Sequence, residues 1–257
     1  MLERLNHSDY DTPIFTASDM LAYRWRTSRA PQVPPPHTVI IYYQSDPIAA
    51  LLKRRRAAKV NGFMGEFHVL KTRQRAIGLL HPAGPGAPSV AAALEELSVF
   101  GVPRFISIGL AGSLQPNLQS GDVVVCDQAL RDEGTSFHYL PPARSVEADQ
   151  ALVQQICAAL AARNISHSVG ASWTTDAPYR ETRREIEAYG AEGIKTVEME
   201  AAAVFAVGQR LGVATAAVFA IGDQLAELTW RPPADLRRLR QKVRAVGEAI
   251  IDALSTG

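Results

Sequence analysis

Cysteine is nearly missing: Cys126 and Cys157 are the only two in 257 residues. That is too few for a disulfide framework or a thiolate zinc site, and it suits a reducing compartment. Charge of one sign is missing as well, since 27 Lys and Arg face 26 Asp and Glu for a formal net charge of +1. With no broad basic field to hold a phosphate backbone or an anionic bilayer, neither nucleic acid nor membrane is an expected partner. Long apolar runs are absent too. Nothing approaches the roughly 18 residues of a membrane span, and the opening MLERLNHSDYDTPIF lacks the apolar core of a signal peptide. The expected address is the cytoplasm. A dinucleotide fingerprint also fails: GPGAPS at 84–89 supplies two glycines, but no ribose-binding acid follows a strand at the needed distance, and there is no P-loop. No metal ligand set is expected.

Hydrophobic residues make up 47% of the chain, enough for one large core. Residues 1–36 carry scattered charge and a proline run at 34–36, and read as an N-terminal arm. From His37 onward short apolar runs alternate with helical patterns. TVIIYY (38–43) reads as a strand, with Ser45 or Asp46 capping the helix IAALLKRR. SVAAALEELSVFG reads as a helix closed by Gly101. RFISIGLAG, GDVVVCDQAL, HSVGASWTT and ATAAVFAIGD read as strands, and ETRREIEAYG and the Arg-rich DLRRLRQKVRAVGEAIIDAL as helices. Continuous apolar strands between helices imply a sheet covered on both faces, so 37–257 is expected to be one α/β domain.

In such folds ligands gather at the carboxyl ends of strands, where loops open and helix N-termini point inward. Four loops qualify: SDP at 45–47, HPAGPGAPS at 81–89, GLAGS at 109–113 and GDQL at 222–225. The most informative segment is VEMEAAAVFAVGQRLG, which puts Glu198 and Glu200 around Met199 at the start of an otherwise apolar helix. Carboxylates rarely go inside unpaired. Two accounts stand open. Both acids complement the helix macrodipole from its first turn, or they clamp a sugar, with a carboxylate on adjacent hydroxyls and Met199 as a soft apolar face.

Three motifs in order carry a resemblance. The run from Arg104 to Pro141, with IGLAG followed by GDV, resembles the central region of the uridine phosphorylase and purine nucleoside phosphorylase superfamily. VEMEAAAVFAVGQRLGV resembles its ribose-binding helix, and VFAIGDQL resembles its late strand ending in Ser-Asp. The similarity covers roughly residues 38–254. It implies a twisted mixed β-sheet with a barrel-like part flanked by helices, in an enzyme that cleaves the N-glycosidic bond of nucleosides as a homo-oligomer, a dimer or trimer of dimers. Residue by residue, it implies that Glu200 binds the ribose hydroxyls, with Met199 under the sugar and Glu198 close by. Asp223 would protonate or hydrogen-bond a purine-like base. Tyr179 and Arg180, in TTDAPYRET, and Gly112 would contact that base. His7 and His138 would lie toward the 5′ end.

The chain departs from that family where phosphate should bind. The family's Gly-Asp-Pro-x-Arg turn reads Ser45, Asp46, Pro47, Ile48, Ala49, and its Arg and hydroxyl flanking the IG pair are Ser107 and Leu110. The loop that would lend a further Arg reads GFMGEFHVL. The acceptor region is thus expected at Asp46, Ser107, Gly109 and Leu110, with hydrolysis favoured over phosphorolysis. Arg54, Arg55 and Arg104 are the basic residues that would have to substitute. Phosphorolysis, with phosphate as co-substrate and no other cofactor, is the alternative. A non-catalytic nucleoside binder is the third.

Overall fold

The computed structural model describes residues 13–72 and 75–256, apart from the side chains of residues 45–48, 50 and 256. In chain order the elements are α1 (Ala17–Arg26), β1 (Thr38–Tyr42), α2 (Ser45–Arg55), β2 (Ala58–Val60), β3 (Glu66–Leu70), β4 (Ile77–His81), α3 (Ala87–Phe100) and β5 (Arg104–Ser113). There follow β6 (Val123–Asp132), β7 (Ser145–Glu147), α4 (Gln150–Ala162), β8 (Ser168–Thr175), α5 (Arg183–Ala191), β9 (Thr196–Glu198), α6 (Ala201–Leu211), β10 (Ala214–Gln224) and α7 (Leu236–Thr256). Short 3-10 turns lie at Thr135–His138 and Pro178–Arg180.

The strands form one mixed sheet in the order β10-β6-β8-β9-β5-β1-β4-β3-β2, with β7 on the flank of β6. Strand β10 also pairs with β5, so β10, β6, β8, β9 and β5 close on themselves and leave the remaining strands as an open extension. The fold is α/β with a barrel-like part, as the sequence implies. Closure explains the long uninterrupted apolar runs, because a barrel strand is covered inside by its neighbours and outside by helices. Every residue of β1 is buried, and so is every residue of α6 from Ala201 to Gly208. Helix α6 approaches β10 so closely that a Cβ on Gly208 would sit 2.4 Å from the Thr215 side chain.

Several elements escape the sequence reading, the three-residue strands β7 and β9 among them. Helix α1 is announced by Thr16 and Asp19, which form a reciprocal capping box. The β2–β3 hairpin is short, and α4 is capped by Asp149, whose carboxylate accepts the Leu152 N–H at 2.8 Å. The cap of α2 also differs from expectation. Gln44 holds that position without a side-chain hydrogen bond, and Ser45 and Asp46 lie in the helix's first turn.

Helix α1 is fastened to α3 by one fork. Arg24 donates to both Glu96 carboxylate oxygens at 2.8 and 2.7 Å and to the Gly62 carbonyl at 2.6 Å. The side chains are only 15% and 10% exposed. Removing one member of such a pair strands the other charge in a poor solvent, at a cost of about 3 kcal/mol. Glu96→Ala is therefore expected to lower the urea-unfolding free energy by about that amount, and Arg24→Ala with Glu96→Ala by less than the sum of the single changes. Parental stability in Glu96→Ala would dismiss the fastening.

Candidate active site

Strand β9 delivers Glu198, the chain turns at Met199, and Glu200 becomes the N-cap of α6. The two acids therefore do not share a first helical turn, as the sequence pattern suggests. They do different things. Glu198 Oε2 accepts the N–H groups of Glu200 and Ala201, each at 2.8 Å. Its Oε1 accepts the Thr174 hydroxyl at 2.5 Å and the Ser172 hydroxyl at 3.4 Å. Thr174 in turn accepts the Ala202 N–H at 3.0 Å. Glu198 is thus the anion at the positive end of α6, reaching it from a strand. Burial pushes its pKa up against the pull of these hydrogen bonds.

With the α6 donors taken, the Glu200 side chain turns across to α3. Its Oε1 accepts the Gly86 N–H at 2.6 Å. Gly86 is the N-cap of α3 and has φ +95, a backbone that disfavours any side chain. Met199 closes the contact, with its Cε 4.0 Å from where a Gly86 Cβ would stand. Burial, then the neighbouring Glu198 charge, raises the Glu200 pKa to about 8, against the Gly86 and Met199 backbone hydrogen bonds.

Beyond β1, Tyr43 lies over β5, which continues as strand through the GLAGS segment expected to be a loop. Its hydroxyl is 3.1 Å from Ser107 Oγ, and its ring is 3.3 Å from the point a Gly109 Cβ would occupy. Burial drives its pKa up, followed by the charge of Glu200, while the Ser107 hydrogen bond opposes the shift and Glu198 adds to it. Tyr43 therefore stays a neutral hydroxyl beside both acids. Leu110 is half-buried next to Gly109.

Asp223 owes its place to a β-bulge. The β10–β5 register runs through Ile221↔Ala111 and resumes at Gln224↔Ser113, so Gly222 and Asp223 together oppose Gly112. Asp223 Oδ1 stands 3.4 Å from the point a Gly112 Cβ would occupy, and its Oδ2 accepts the Trp230 indole N–H at 2.7 Å. Trp230 is held back by paired backbone bonds between Gln224 and Arg231, both 3.0 Å. Val197 Cγ1 is 3.0 Å from the same Gly112 point. Glu200 follows Val197 by three residues, at most ~11 Å of extended chain. Gly112 of β5 thus stands between Asp223 of β10 and Val197 of β9, and Met199 and Glu200 follow Val197 at the start of α6.

The other sequence-derived candidates fall elsewhere. Tyr179 is 100% exposed and Arg180 exposed on the turn after β8. The next residue, Glu181, is half-buried, and burial, then Asp223, then Glu185 raise its pKa to about 7. His138 lines a separate cleft of about 720 Å³ with Phe15, Met20, Glu95, Tyr139 and Arg210, which no residue of the clamp enters. His7 and the side chain of Asp46 lie outside the described residues. The arginines that would have to hold phosphate are engaged elsewhere. Arg54 pairs with Glu248 at 2.7 Å and Arg55 with Asp252, both acids on α7. Arg104 bonds Gln155 at the start of β5, five residues or ~16 Å of strand from Gly109. Tyr43, Trp230 and Glu181 went unread in the sequence because nothing local marks them. Among the described residues no three His, Cys, Asp or Glu side chains gather to hold a metal ion.

The division of labour between the acids can be checked by stability. Glu198→Ala strands two α6 N–H groups and two hydroxyls, and is expected to cost about 2–4 kcal/mol in urea unfolding. Glu200 acts through pH instead. Its folded pKa of about 8 lies above the ordinary 4.5, so the folded protein keeps a proton that the unfolded chain releases. Its contribution to stability is present below about pH 4.5 and is lost as pH rises toward 8. Glu200→Gln removes that titration and should flatten the stability profile across this window. Equal slopes for parent and variant would discard the buried acid.

Known proteins resemble this chain. The sequence profile of the Phosphorylase superfamily matches residues 47–254. Guanosine phosphorylase of Halorubrum lacusprofundi is 35% identical over 130 residues, 51% of this chain and 54% of that protein. Uridine phosphorylase of Salmonella typhimurium is 30% identical over 133 residues, 46% of this chain and 53% of that one. The matched stretches thus span about half the length of each relative. The crystal structure of uridine phosphorylase from Vibrio fischeri superposes with a TM-score of 0.73 at 26% identity, covering 88% of this chain and 92% of that one. With the profile matched over most of its length and the barrel shared with a solved relative, the chain belongs to the phosphorylase superfamily.

Proposed function

We propose that this protein cleaves the N-glycosidic bond of a nucleoside, with water as the acceptor and a purine or purine-like base as the leaving group. The observation that carries the reading is Glu200: a buried carboxyl at the N-cap of α6 that accepts the N–H of the α3 N-cap, with Met199 beside it. Ribose 2′- and 3′-hydroxyls donating to Glu200 would favour its ionised form, because hydrogen bonds to a carboxylate lower its pKa. The resulting negative charge lies where the ribosyl ring turns cationic, and the base accumulates negative charge as the bond breaks. Asp223 and Glu181 stand at that side.

The acceptor follows from what lies near Glu200. Tyr43 and Ser107 present neutral hydroxyls. A phosphate placed there would meet the charge of buried carboxyls, without the charge-assisted hydrogen bonds that contribute about 1.5–3 kcal/mol each. Water needs no such cage, and the Tyr43–Ser107 pair can hydrogen-bond it. Phosphorolysis is the second reading, favoured by the names of the matched relatives, guanosine phosphorylase and uridine phosphorylase. The purine preference rests on carboxyls beside the base. The family resemblance adds a homo-oligomer, a dimer or trimer of dimers.

Phosphate-depleted protein incubated with purine and pyrimidine nucleosides is expected to release free base and free pentose, fastest with purines, at a rate indifferent to added phosphate. Glu200→Ala should lower kcat/KM by about 100-fold or more. Saturable stimulation by phosphate with pentose 1-phosphate as product would replace hydrolysis by phosphorolysis. Tight nucleoside binding with no product would leave a binding protein.

A further inference from the structure

The segment TTDAPYRET, expected to contact the base, carries an acid to which the sequence reading gave no role, Glu181. Glu181 sits between the turn Pro178–Arg180 and α5, on the loop that leaves β8. Strand β8 pairs with β9 in a register that sets Thr174 opposite Glu198, so the loop begins where the sugar clamp ends. Glu181 is half-buried and faces Asp223 of β10 and Glu185 of α5. Among the described residues its carboxyl has no hydrogen-bond or ion-pair partner. Glu185 is occupied, since it accepts the Thr182 backbone N–H and hydroxyl in the cap of α5. Asp223 is occupied as well: its Oδ2 takes the Trp230 indole N–H at 2.7 Å. That oxygen already accepts a hydrogen bond, which suits Asp223 to holding the base through hydrogen bonds.

We propose that Glu181, rather than Asp223, donates the proton to the departing base, with Asp223 positioning that base. This rests on the nucleoside-cleavage reading above. As the C1′–N bond breaks, its electron pair moves onto the base, and the Glu181 O–H proton passes to a ring nitrogen, N7 in a purine. Water adds to C1′ and loses a proton to solvent, and the Glu181 carboxylate is reprotonated from solvent, so the sum is nucleoside plus water to free base plus pentose. The raised pKa of Glu181, about 7, fits the role, because an acid near the working pH is both protonated and willing to donate.

The test compares a purine nucleoside with its N7-methylated counterpart, whose base leaves neutral with no proton transfer. Glu181→Gln is expected to lower kcat/KM by about 100-fold or more on the ordinary nucleoside and to change the methylated one by no more than about threefold. Activity of the variant on the methylated substrate also shows that the site is folded. In the parent, kcat/KM for the ordinary nucleoside should hold below about pH 7 and fall above it as Glu181 ionises, while the methylated substrate shows no such fall. Glu181→Asp should restore part of the loss. Equal losses on both substrates, or none on either, would overturn the donor role and leave the cleavage reading standing. If the parent cleaves neither substrate, both fall.

Discussion

A buried carboxyl must find donors, and the bond from the Gly86 N–H to Glu200 is where this protein meets that requirement. The bond joins the first residues of α3 and α6, and so fixes the angle at which two covering helices meet the sheet. It demands a glycine with φ +95 at one end. At the other it demands that the α6 donors already be spoken for, or the acid would fold back onto its own helix. Glu198 meets the second demand from the neighbouring strand, with Ser172 and Thr174 of β8 completing its shell. A cap, a strand register and a glycine together leave one carboxyl over.

The two flanks of that carboxyl differ in kind. Toward β1 lie the hydroxyls of Tyr43 and Ser107. Toward β10 lie acids, Asp223 and Glu181, with an indole donor behind the first. Negative charge is not easily added here, since burial and neighbouring acids, Glu198 for Glu200 and Asp223 with Glu185 for Glu181, already raise the pKa of both carboxyls. A ligand that becomes cationic in its middle and takes up a proton at one end suits this polarity.

Much of the fold was legible in the chain, because barrel strands buried on both faces leave long apolar runs such as RFISIGLAG and ATAAVFAIGD. Short strands left little trace. Strand β9 has three residues, and its Glu198 sits in a pattern that reads as helix, so both acids were placed on one turn when they belong to two elements. Glu200, Met199 and Asp223 were recognisable because each lies within a motif. Tyr43, Trp230 and Glu181 were not, since their meaning comes from what packs opposite: Ser107 is 64 residues from Tyr43 in sequence, and Glu181 faces an acid on a different strand. Local pattern reports the element a residue belongs to, and these three matter through elements they do not belong to.

The extra residue in β10 is worth following one step further. Between Ile221 and Gln224 the strand carries one residue more than β5 needs, and only that surplus places Asp223 over Gly112. Losing a single codon there would tidy the ladder: the hydrogen bonds would run on unbroken and the barrel would be more regular than it is now. Selection for stability alone therefore pushes toward erasing this irregularity. Its persistence in the lineage would be a record of selection on chemistry, readable from chain length between two fixed points without reference to which side chain stands there.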